Sequence, residues 1–400
     1  MAKVKNSNLT EAKNAKKDEF YTQYEDIQNE LTHYKKHFKD KTVLCNCDDP
    51  KVSQFFKYFA NNFHDLGLKK LICTCYKNAS GVEFHYEQEC QNIEAKNKGK
   101  LKGLETSKPE KPDTSGEKSC YFEYYGKDNA GEKLQENRKI DAYIATQIPT
   151  QELKHDTGGG YPAGDFRSSQ CKELLAQADI VVTNPPFSLF REYVAQLIGY
   201  DKKFLIIGNK NAVTYKEIFK LIKDKKVWLG CTSANEFLKP NENQAGFIVT
   251  KQVNGLTRWF TNLTHKKRNE PLETKASFAK EPEKYPKYDN YNAINVDRTD
   301  EIPLDYDGVM GVPITFLDKH NPKQFEILGL DRYIEDNPNY GKRFSIKNKE
   351  TYARILIRKI AEVEELEKEE REKRKVHYEP TCRRGNPKNY QDCFSLKASQ

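Results

Sequence analysis

Short apolar runs alternate with amphipathic segments along the first half of the chain. The run TVLC at 42–45 is typical of a buried strand, and QFFKYFANNF at 54–63 carries apolar residues at helical spacing. The same alternation predicts strands over 41–47, 69–76, 139–145, 178–183, 202–209 and 226–231, and helices over 51–63, 170–178, 188–198 and 215–224. We therefore predict an α/β fold with a doubly wound, mostly parallel sheet and helices on both faces.

The alternation is interrupted or lost in the other parts of the chain. Residues 1–17 form a basic arm that we expect to be flexible, and 96–136 is a polar insertion rich in Lys, Gly, Glu and Ser. Polar loops with short strand-like runs occupy 251–360, and a charged helix and tail occupy 361–400. We predict one large domain over 18–250, which contains the insertion, followed by a second region of irregular, strand-rich character.

The amino-acid composition indicates which class of partner the protein binds. The 67 Lys and Arg residues exceed the 59 Asp and Glu residues, and the net charge of +8 favours an anionic partner such as a nucleic acid. No run of about 18 apolar residues occurs, so we expect no membrane span. The first twenty residues lack the apolar segment of a secretory signal, which predicts a cytoplasmic protein.

The cysteines resemble metal ligands at first sight. Cys45 and Cys47, and again Cys73 and Cys75, are separated by a single residue within predicted strands. The period of two in a strand predicts that both thiols of a pair point to one face as small apolar groups. Zinc ligands prefer wider gaps, so we expect buried, reduced thiols and no metal.

Two polar motifs end predicted strands. NPPF at 184–187 follows the strand at 178–183 directly, and CDDP at 47–50 ends the first predicted strand. Consecutive prolines cannot donate to a sheet ladder, so the strand must stop there. Because the carboxyl ends of parallel strands meet at one edge, where ligands bind, we expect both motifs to line one site.

The residue types of NPPF suit chemistry at an aromatic amino group. The lone pair of an adenine N6 nitrogen is delocalised into the ring, so the nitrogen is a weak nucleophile. The Asn184 side-chain oxygen and the Pro185 carbonyl would each accept a hydrogen bond from the adenine amino group. Pro185 and Pro186 make the backbone rigid. Phe187 would lie against the face of a base that has been flipped out of a duplex.

NPPF after a strand resembles the catalytic motif of adenine-specific amino methyltransferases. DEFYTQ at 18–23 is similar to the segment of such enzymes that closes over S-adenosylmethionine, and GDFRS at 164–168 is similar to their motif at the cofactor adenine. VLCNCDDPKVSQFFKYF at 43–59 and MGVPITFLDKHNPKQFEILG at 310–329 resemble the EcoRI-type adenine-specific N6 DNA methyltransferases, in the γ order of motifs.

The resemblance implies a Rossmann-like class I methyltransferase domain that binds S-adenosylmethionine and methylates double-stranded DNA. Region 251–360 would then recognise the target. The enzyme would belong to a restriction–modification pair, with a restriction endonuclease of the same specificity as its functional partner, or would be an orphan or phage methyltransferase. Asp165 would accept from the cofactor amino group, Phe166 would stack on its ring, and Asp48 or Asp49 would bind its ammonium group. The cofactor-binding residues that the resemblance implies are Phe20, Tyr21, Thr22, Asp48, Asp49, Pro50, Asp165 and Phe166.

Two departures from the family pattern leave other interpretations open. The first strand is followed by CDDP rather than by a Gly-x-Gly turn, and TCYKN at 74–78 lacks the usual ribose-binding carboxylate. A methyltransferase for RNA adenine or for protein glutamine would use similar chemistry. A DNA-binding relative without catalytic activity would explain the missing glycines. Phe187 and the long C-terminal region argue against the glutamine enzymes, which usually have Tyr after the prolines.

Overall fold

The computed structural model describes residues 21–47, 53–75, 119–146, 151–154, 160–234, 237–240, 247–250, 255–334 and 340–360. The described residues up to Arg358 belong to one compact unit, and a second unit comprises Lys359–Gln400. The 1–17 arm and the 361–400 helix and tail that the sequence predicts lie outside the described residues. No helix among the residues described is long and apolar enough to cross a membrane.

The α-helices are short and most follow a strand of the main sheet. They are α1 (Tyr24–Leu31), α2 (Gln54–Asn61), α3 (Asn137–Thr146), α4 (Ser169–Gln177), α5 (Phe190–Gly199) and α6 (Lys216–Lys223). Short 3₁₀ helices occur at Thr32–His37, Phe187–Leu189, Lys210–Thr214, Lys266–Asn269, Pro282–Lys284, Thr299–Glu301 and Ile314–Lys319. Ser53 and Ser168 cap α2 and α4, because each hydroxyl accepts a backbone N–H of the first turn.

The strands form one large sheet and three smaller ones. The strands are β1 (Tyr21–Thr22), β2 (Thr42–Cys45), β3 (Lys70–Thr74), β4 (Cys120–Tyr124), β5 (Gln151–Glu152), β6 (Ile180–Thr183), β7 (Lys203–Asn209), β8 (Trp228–Leu229), β9 (Phe237–Pro240), β10 (Phe247–Thr250), β11 (Thr257–Thr261), β12 (Ile294–Asn295), β13 (Met310–Pro313), β14 (Phe325–Leu330), β15 (Ser345–Ile346), β16 (Lys349–Glu350) and β17 (Arg354–Lys359). The large sheet has the order β5-β4-β3-β2-β6-β7-β11-β8.

The large sheet has a parallel centre and antiparallel edges. β3, β2, β6 and β7 are parallel neighbours, with Val43 opposite Ile180 and Thr183 opposite Ile206. β4 and β11 run antiparallel to this centre, one on each side. The predicted α/β fold with a large sheet is therefore confirmed, and its parallel part is narrower than the sequence suggests.

Apolar residues alternate between the two faces of this sheet. Leu44 and Val181 pack on the face covered by α4, α5 and α6. Val43, Cys45 and Val182 pack on the opposite face, which α1, α2 and α3 cover. This alternation is the period of two expected of a strand, and it explains why the central strands read as continuous apolar runs.

Two elements differ from the sequence prediction. The segment at 139–145, predicted as a strand, lies in helix α3, where Ile140 and Tyr143 are both buried. Ile140, Ala142 and Ile144 alternate as in a strand, whereas Ile140 and Tyr143 have the spacing of a helix face, so a run of seven residues could not separate the two. β4 lies within the segment predicted as a polar insertion, and it pairs with β3. The insertion prediction is therefore wrong for Cys120–Tyr124.

The C-terminal part of the compact unit has its own sheet, with the order β12-β13-β17-β14. β13 pairs in parallel with β12 and antiparallel with β17. β11, however, lies in the large sheet beside β7, although it follows the predicted domain boundary at 250. We therefore propose a boundary after Thr261, with the target-recognition role of the later residues still a prediction.

Candidate active site

The predicted catalytic motif lies at the carboxyl edge of the parallel centre. β2 and β6 are adjacent and parallel, so the residues that follow them, Asn46 and Asn184, begin at the same edge. Pro185 is buried, and Pro186 precedes the 3₁₀ turn Phe187–Leu189 with φ −54° and ψ 124°. The diproline thus ends β6 and starts a turn, as proline chemistry requires.

Thr22 connects the N-terminal motif to the catalytic motif. Its Oγ1 accepts a hydrogen bond from Asn184 Nδ2 at 3.4 Å, across 162 residues of sequence. Thr22 is buried on β1, which pairs antiparallel with β9 and places Thr22 opposite Phe237. The contact orients the Asn184 carboxamide, because its amide nitrogen faces Thr22. The structure therefore brings together two motifs that the sequence placed far apart.

Glu30 anchors the elements that position Thr22. Glu30, on α1, is fully buried, and its carboxylate accepts from Tyr34 Oη at 2.8 Å and from Cys231 N at 2.8 Å. Thr232 donates both its backbone N–H and its hydroxyl to Glu30, each at 2.6 Å. We call these four residues the Glu30 cluster. It ties α1, which follows β1, to the segment that leads into β9.

The Glu30 cluster is neutral except for its carboxylate. Burial and the nearby Glu30 charge raise the pKa of Tyr34, and burial raises the pKa of the Cys231 thiol to about 12. Cys231 Sγ lies 3.2 Å from His265 Nδ1, and burial lowers the pKa of this histidine. A neutral thiol beside a neutral imidazole is not an activated nucleophile, so the cluster has a structural role.

Asp165 and Phe166, the predicted residues at the cofactor adenine, lie in the turn before α4. Asp165 is 9% exposed, and its carboxylate accepts from Arg167 Nε at 2.9 Å and Nη2 at 2.8 Å. Arg167 also pairs with Glu192 on α5 at 3.2 Å, and the hydrogen bond to Asp165 raises the pKa of the guanidinium. Arg167 thus links the cofactor motif to the helix that follows NPPF.

Phe166 is buried rather than presented at the surface. Its ring is 2% exposed, packs edge-on against Tyr193 with centroids 4.9 Å apart, and lies 5.3 Å from the Arg167 guanidinium carbon. An adenine would stack on this ring only after Arg167 moved. The stacking role stays a prediction, and the described contacts support a packing role for Phe166.

A polar cluster that was not predicted from the sequence lies at the edge of the sheet. The Asn46 side-chain oxygen accepts from Thr74 Oγ1 at 2.7 Å, and Thr183 Oγ1 donates to the Asn46 carbonyl. These residues come from the ends of β2, β3 and β6, and all three are at most 1% exposed. We call them the rim cluster. Each is a polar residue at the end of an apolar strand, and that position is the signal that could have identified it.

Cys47 occupies the place of the missing glycine turn. Its φ is +70°, a left-handed conformation that favours glycine. Its side chain packs with the α4 face of the sheet, whereas Cys45 is in the core of the other face. The prediction that the two thiols share a face is therefore wrong, because the strand ends at Cys45 and the backbone turns.

The other predicted residues are described only in part. Phe20, Asp48, Asp49 and Pro50 lie outside the described residues, and Tyr21 is described only through its backbone. Of the eight residues predicted to bind the cofactor, the structure describes the side chains of Thr22, Asp165 and Phe166. Among the residues that the structure covers, no three His, Cys, Asp or Glu side chains form a group able to hold a metal ion.

Comparison with known proteins supplies the decisive observation. A family model described as adenine-specific methyltransferase EcoRI matches residues 8–383, which is nearly the whole chain. The chain belongs to this family. The predicted EcoRI-type resemblance and the predicted enzyme class, an adenine-specific methyltransferase, are thereby confirmed.

Curated relatives agree with the family match over almost their full length. The chain is 44% identical to the type II methyltransferase M.EcoRI of Escherichia coli over 366 residues, 88% of this chain and 96% of that protein. It is 34% identical to the type II methyltransferase M.MpnI of Mycoplasma pneumoniae over 374 residues, 87% of this chain and 96% of that protein. M.MgeORF184P of Mycoplasma genitalium is 33% identical over 373 residues. No solved structure matches the chain.

Proposed function

We propose that this EcoRI-family enzyme transfers a methyl group from S-adenosylmethionine to N6 of an adenine flipped out of double-stranded DNA. The observation that carries the proposal is the Asn184–Thr22 contact at the carboxyl edge of the sheet. It joins the predicted amino-methylation motif to the predicted cofactor-closing motif. The type II methyltransferase names of the relatives support DNA modification within a restriction–modification system.

The chemistry depends on two oxygen acceptors of fixed position. The Asn184 carboxamide oxygen and the Pro185 carbonyl would each accept a hydrogen bond from the N6 amino group of adenine. This draws the nitrogen toward tetrahedral geometry and stabilises the positive charge that develops as its lone pair forms the new N–C bond. Thr22 orients the carboxamide, and the diproline restricts the backbone. The surplus N6 proton leaves after methyl transfer, so no strongly basic side chain is needed.

The residues of the same edge fit a nucleoside cofactor that carries an amino acid. When bound, S-adenosylmethionine supplies an electrophilic methyl group. The Asp165 carboxylate is 9% exposed. It would accept a hydrogen bond from an exocyclic amino group while it also accepts from Arg167. The side-chain nitrogen of Asn46 is buried and has no hydrogen-bond acceptor among the described residues, so the edge also contains a donor that suits a bound acceptor.

We assign recognition of the DNA target sequence to the residues after Thr261. Base recognition requires side chains that reach the edges of the bases, and basic side chains hold the phosphates. The separate sheet β12-β13-β17-β14 supports this assignment, because it is a second framework beside the catalytic one. We further propose that a restriction endonuclease of the same specificity acts on the same sequence and that the enzyme works in the cytoplasm.

The proposal is tested by tritiated methyl transfer from S-adenosylmethionine to duplex DNA, with RNA and a glutamine-bearing protein as parallel substrates. Sequencing of 6-methyladenine in DNA from expressing cells would give the target sequence. Methylation of RNA or protein but not of DNA would overturn the DNA assignment. An absence of transfer with all three substrates would favour a relative without catalytic activity.

Replacement of Asn184 by Ala tests the assigned role of its carboxamide. We expect methyl transfer to fall by at least about 100-fold, the loss typical of removing one preorganised polar contact to a transition state. DNA binding should stay within a few-fold, because phosphates supply most of the affinity. Asn29→Ala, an exposed asparagine on α1, is the matched control and should retain full activity. An Asn184→Ala enzyme that keeps most of its turnover would disprove the role.

A further inference from the structure

Cys75 and Cys120 face each other across β3 and β4. Thr74 lies opposite Tyr121 in this antiparallel pair, so the next pair along the two strands is Cys75 opposite Cys120. The Cys75 N–H donates to the Cys120 carbonyl at 2.9 Å, and the two Sγ atoms are 3.1 Å apart. Both are reduced cysteines, 45 positions apart in the sequence. The fold therefore brings two distant thiols into direct contact.

The surroundings of this pair differ from those of the other cysteines that the structure describes. Three thiols are buried in the core, namely those of Cys45, Cys73 and Cys171. The Sγ atoms of Cys47 and Cys231 lie near an amide oxygen and an imidazole. Cys75 and Cys120 are half-buried, so a small oxidant can reach the place where their sulfurs meet.

A bond between these two sulfurs needs no change of strand register. Residues directly opposite in an antiparallel pair have α-carbons about 4.5–5.5 Å apart, which lies within the range of about 4.4–6.8 Å that a disulfide spans. The backbone hydrogen bond between Cys75 and Cys120 already holds the two strands at this spacing. Rotation of the side chains is then enough to bring the sulfurs to bonding distance.

The residues next to the pair hold the edge of the candidate site. Thr74 precedes the first cysteine and donates to Asn46 in the rim cluster. Ser119 precedes the second cysteine and donates to Ala163 O at 3.0 Å, two residues before Asp165. Irreversible oxidation of either sulfur to an acid would place a charged group beside these contacts. A bond between the two sulfurs avoids that outcome.

We propose that Cys75 and Cys120 form a reversible oxidation site, at which a peroxide converts two thiols to one disulfide. One thiolate attacks the peroxide, breaks its O–O bond and becomes a sulfenic acid, while the other oxygen leaves as water. The second thiol attacks this sulfur, forms the S–S bond and displaces hydroxide, which leaves as a second water. The two sulfurs together lose two electrons and two protons, and a thiol reductant restores both thiols.

Peptide mass spectrometry of the full-length protein, exposed to hydrogen peroxide under native conditions, provides the test. The main product should be a peptide pair joined through Cys75 and Cys120, which dithiothreitol separates. Because the bond closes a long loop, the oxidised protein should also unfold at a temperature about 3–8 °C higher than the reduced protein. Cys47→Ser removes a different half-buried thiol and is the matched control, so the bridge should form as in wild type.

Cys120→Ser distinguishes a paired thiol from one that is merely accessible. Without its partner, Cys75 should proceed to sulfinic and sulfonic acids that dithiothreitol does not reverse. Absence of the bridge, bridges chiefly to other cysteines, or irreversible oxidation of Cys75 in wild type as fast as in the variant would overturn the inference. If the variant fails to fold, the peptide map of wild type decides. This readout does not depend on methyl transfer, so it stands or fails separately from the proposed function.

Discussion

The Glu30 cluster and the rim cluster are both buried and polar, but they differ in how completely they are satisfied. Four donors converge on the Glu30 carboxylate within 2.8 Å. The rim cluster keeps one buried donor, on Asn46, without an acceptor among the described residues. A satisfied network holds a fold together, whereas an unsatisfied one at a strand end is prepared for a ligand.

The largest expected effect is the loss of the Glu30 carboxylate. Glu30→Ala should lower the free energy of unfolding by about 3–5 kcal/mol, because it leaves several buried donors without their acceptor. Urea titration followed by circular dichroism measures this change. The matched variant Thr232→Val removes one hydroxyl donor and should lower stability by only about 1 kcal/mol.

If the role of the Glu30 cluster is purely structural, Glu30→Ala should leave ligand binding nearly unchanged. At temperatures where Glu30→Ala is folded, it should bind S-adenosylhomocysteine within a few-fold of wild type. Loss of cofactor binding without loss of stability would break the comparison. It would mean that the cluster acts on the site directly rather than by anchoring β1 and β9.

Acidification should weaken the fold on the side of the Glu30 cluster. Burial lowers the pKa of His320 to about 4 and also lowers that of His265. A neutral histidine that is at least partly buried stabilises the folded state fully above its unfolded pKa of about 6.5, and this contribution is lost as pH falls toward the folded pKa. His320 alone should make the protein about 2 kcal/mol less stable at pH 5 than at pH 7.5.

Urea titrations at pH 7.5, 6.5 and 5 measure this dependence. His320 lines a small cavity with His265 and Arg268, so His320→Gln keeps a polar side chain there while removing the titration. The variant should show a shallower decline in stability below pH 6.5. A decline as steep as that of wild type would assign the acid sensitivity to other groups.

Much of the fold follows from local pattern. Apolar runs identified β2, β3, β6 and β7, because buried parallel strands are apolar on both faces. The prediction of a strand at 139–145 was wrong, because Ile140, Ala142 and Ile144 alternate as in a strand while Ile140 and Tyr143 have the spacing of a helix face. β4 was missed because it lies within a stretch of polar composition, and its partner β3 is distant in sequence. Local pattern therefore predicts elements better when both their faces are buried.

The candidate site was likewise predictable only where its residues are close together in the sequence. NPPF could be found from sequence because proline rigidity and an amide acceptor occur together in four residues. The Asn46–Thr74 hydrogen bond joins residues 28 apart, and the Asn184–Thr22 bond joins residues 162 apart, so neither has a local signature. The absence of the Gly-x-Gly turn was visible in the sequence, but the left-handed conformation of Cys47 was not.

The smallest expected effect concerns the strain at Cys47, next to the rim cluster. A left-handed φ of +70° is unfavourable for a residue with a β-carbon, and more so for a β-branched one. Cys47→Val should lower the free energy of unfolding by about 1–2 kcal/mol. Cys47→Gly should change it by less than about 1 kcal/mol, because relief of strain offsets the greater entropy of glycine in the unfolded chain.

Thermal denaturation of the two variants, each with and without S-adenosylhomocysteine, separates strain from ligand binding. If the turn exists to let the cofactor approach the backbone, Cys47→Gly should keep the stabilisation by ligand, and Cys47→Val should lose part of it. The Glu30 cluster provides the contrast, since none of its residues has a positive φ. Equal tolerance of Val and Gly at position 47 would mean that the rim imposes no left-handed turn, and the difference between the two clusters would then rest on Asn46 alone.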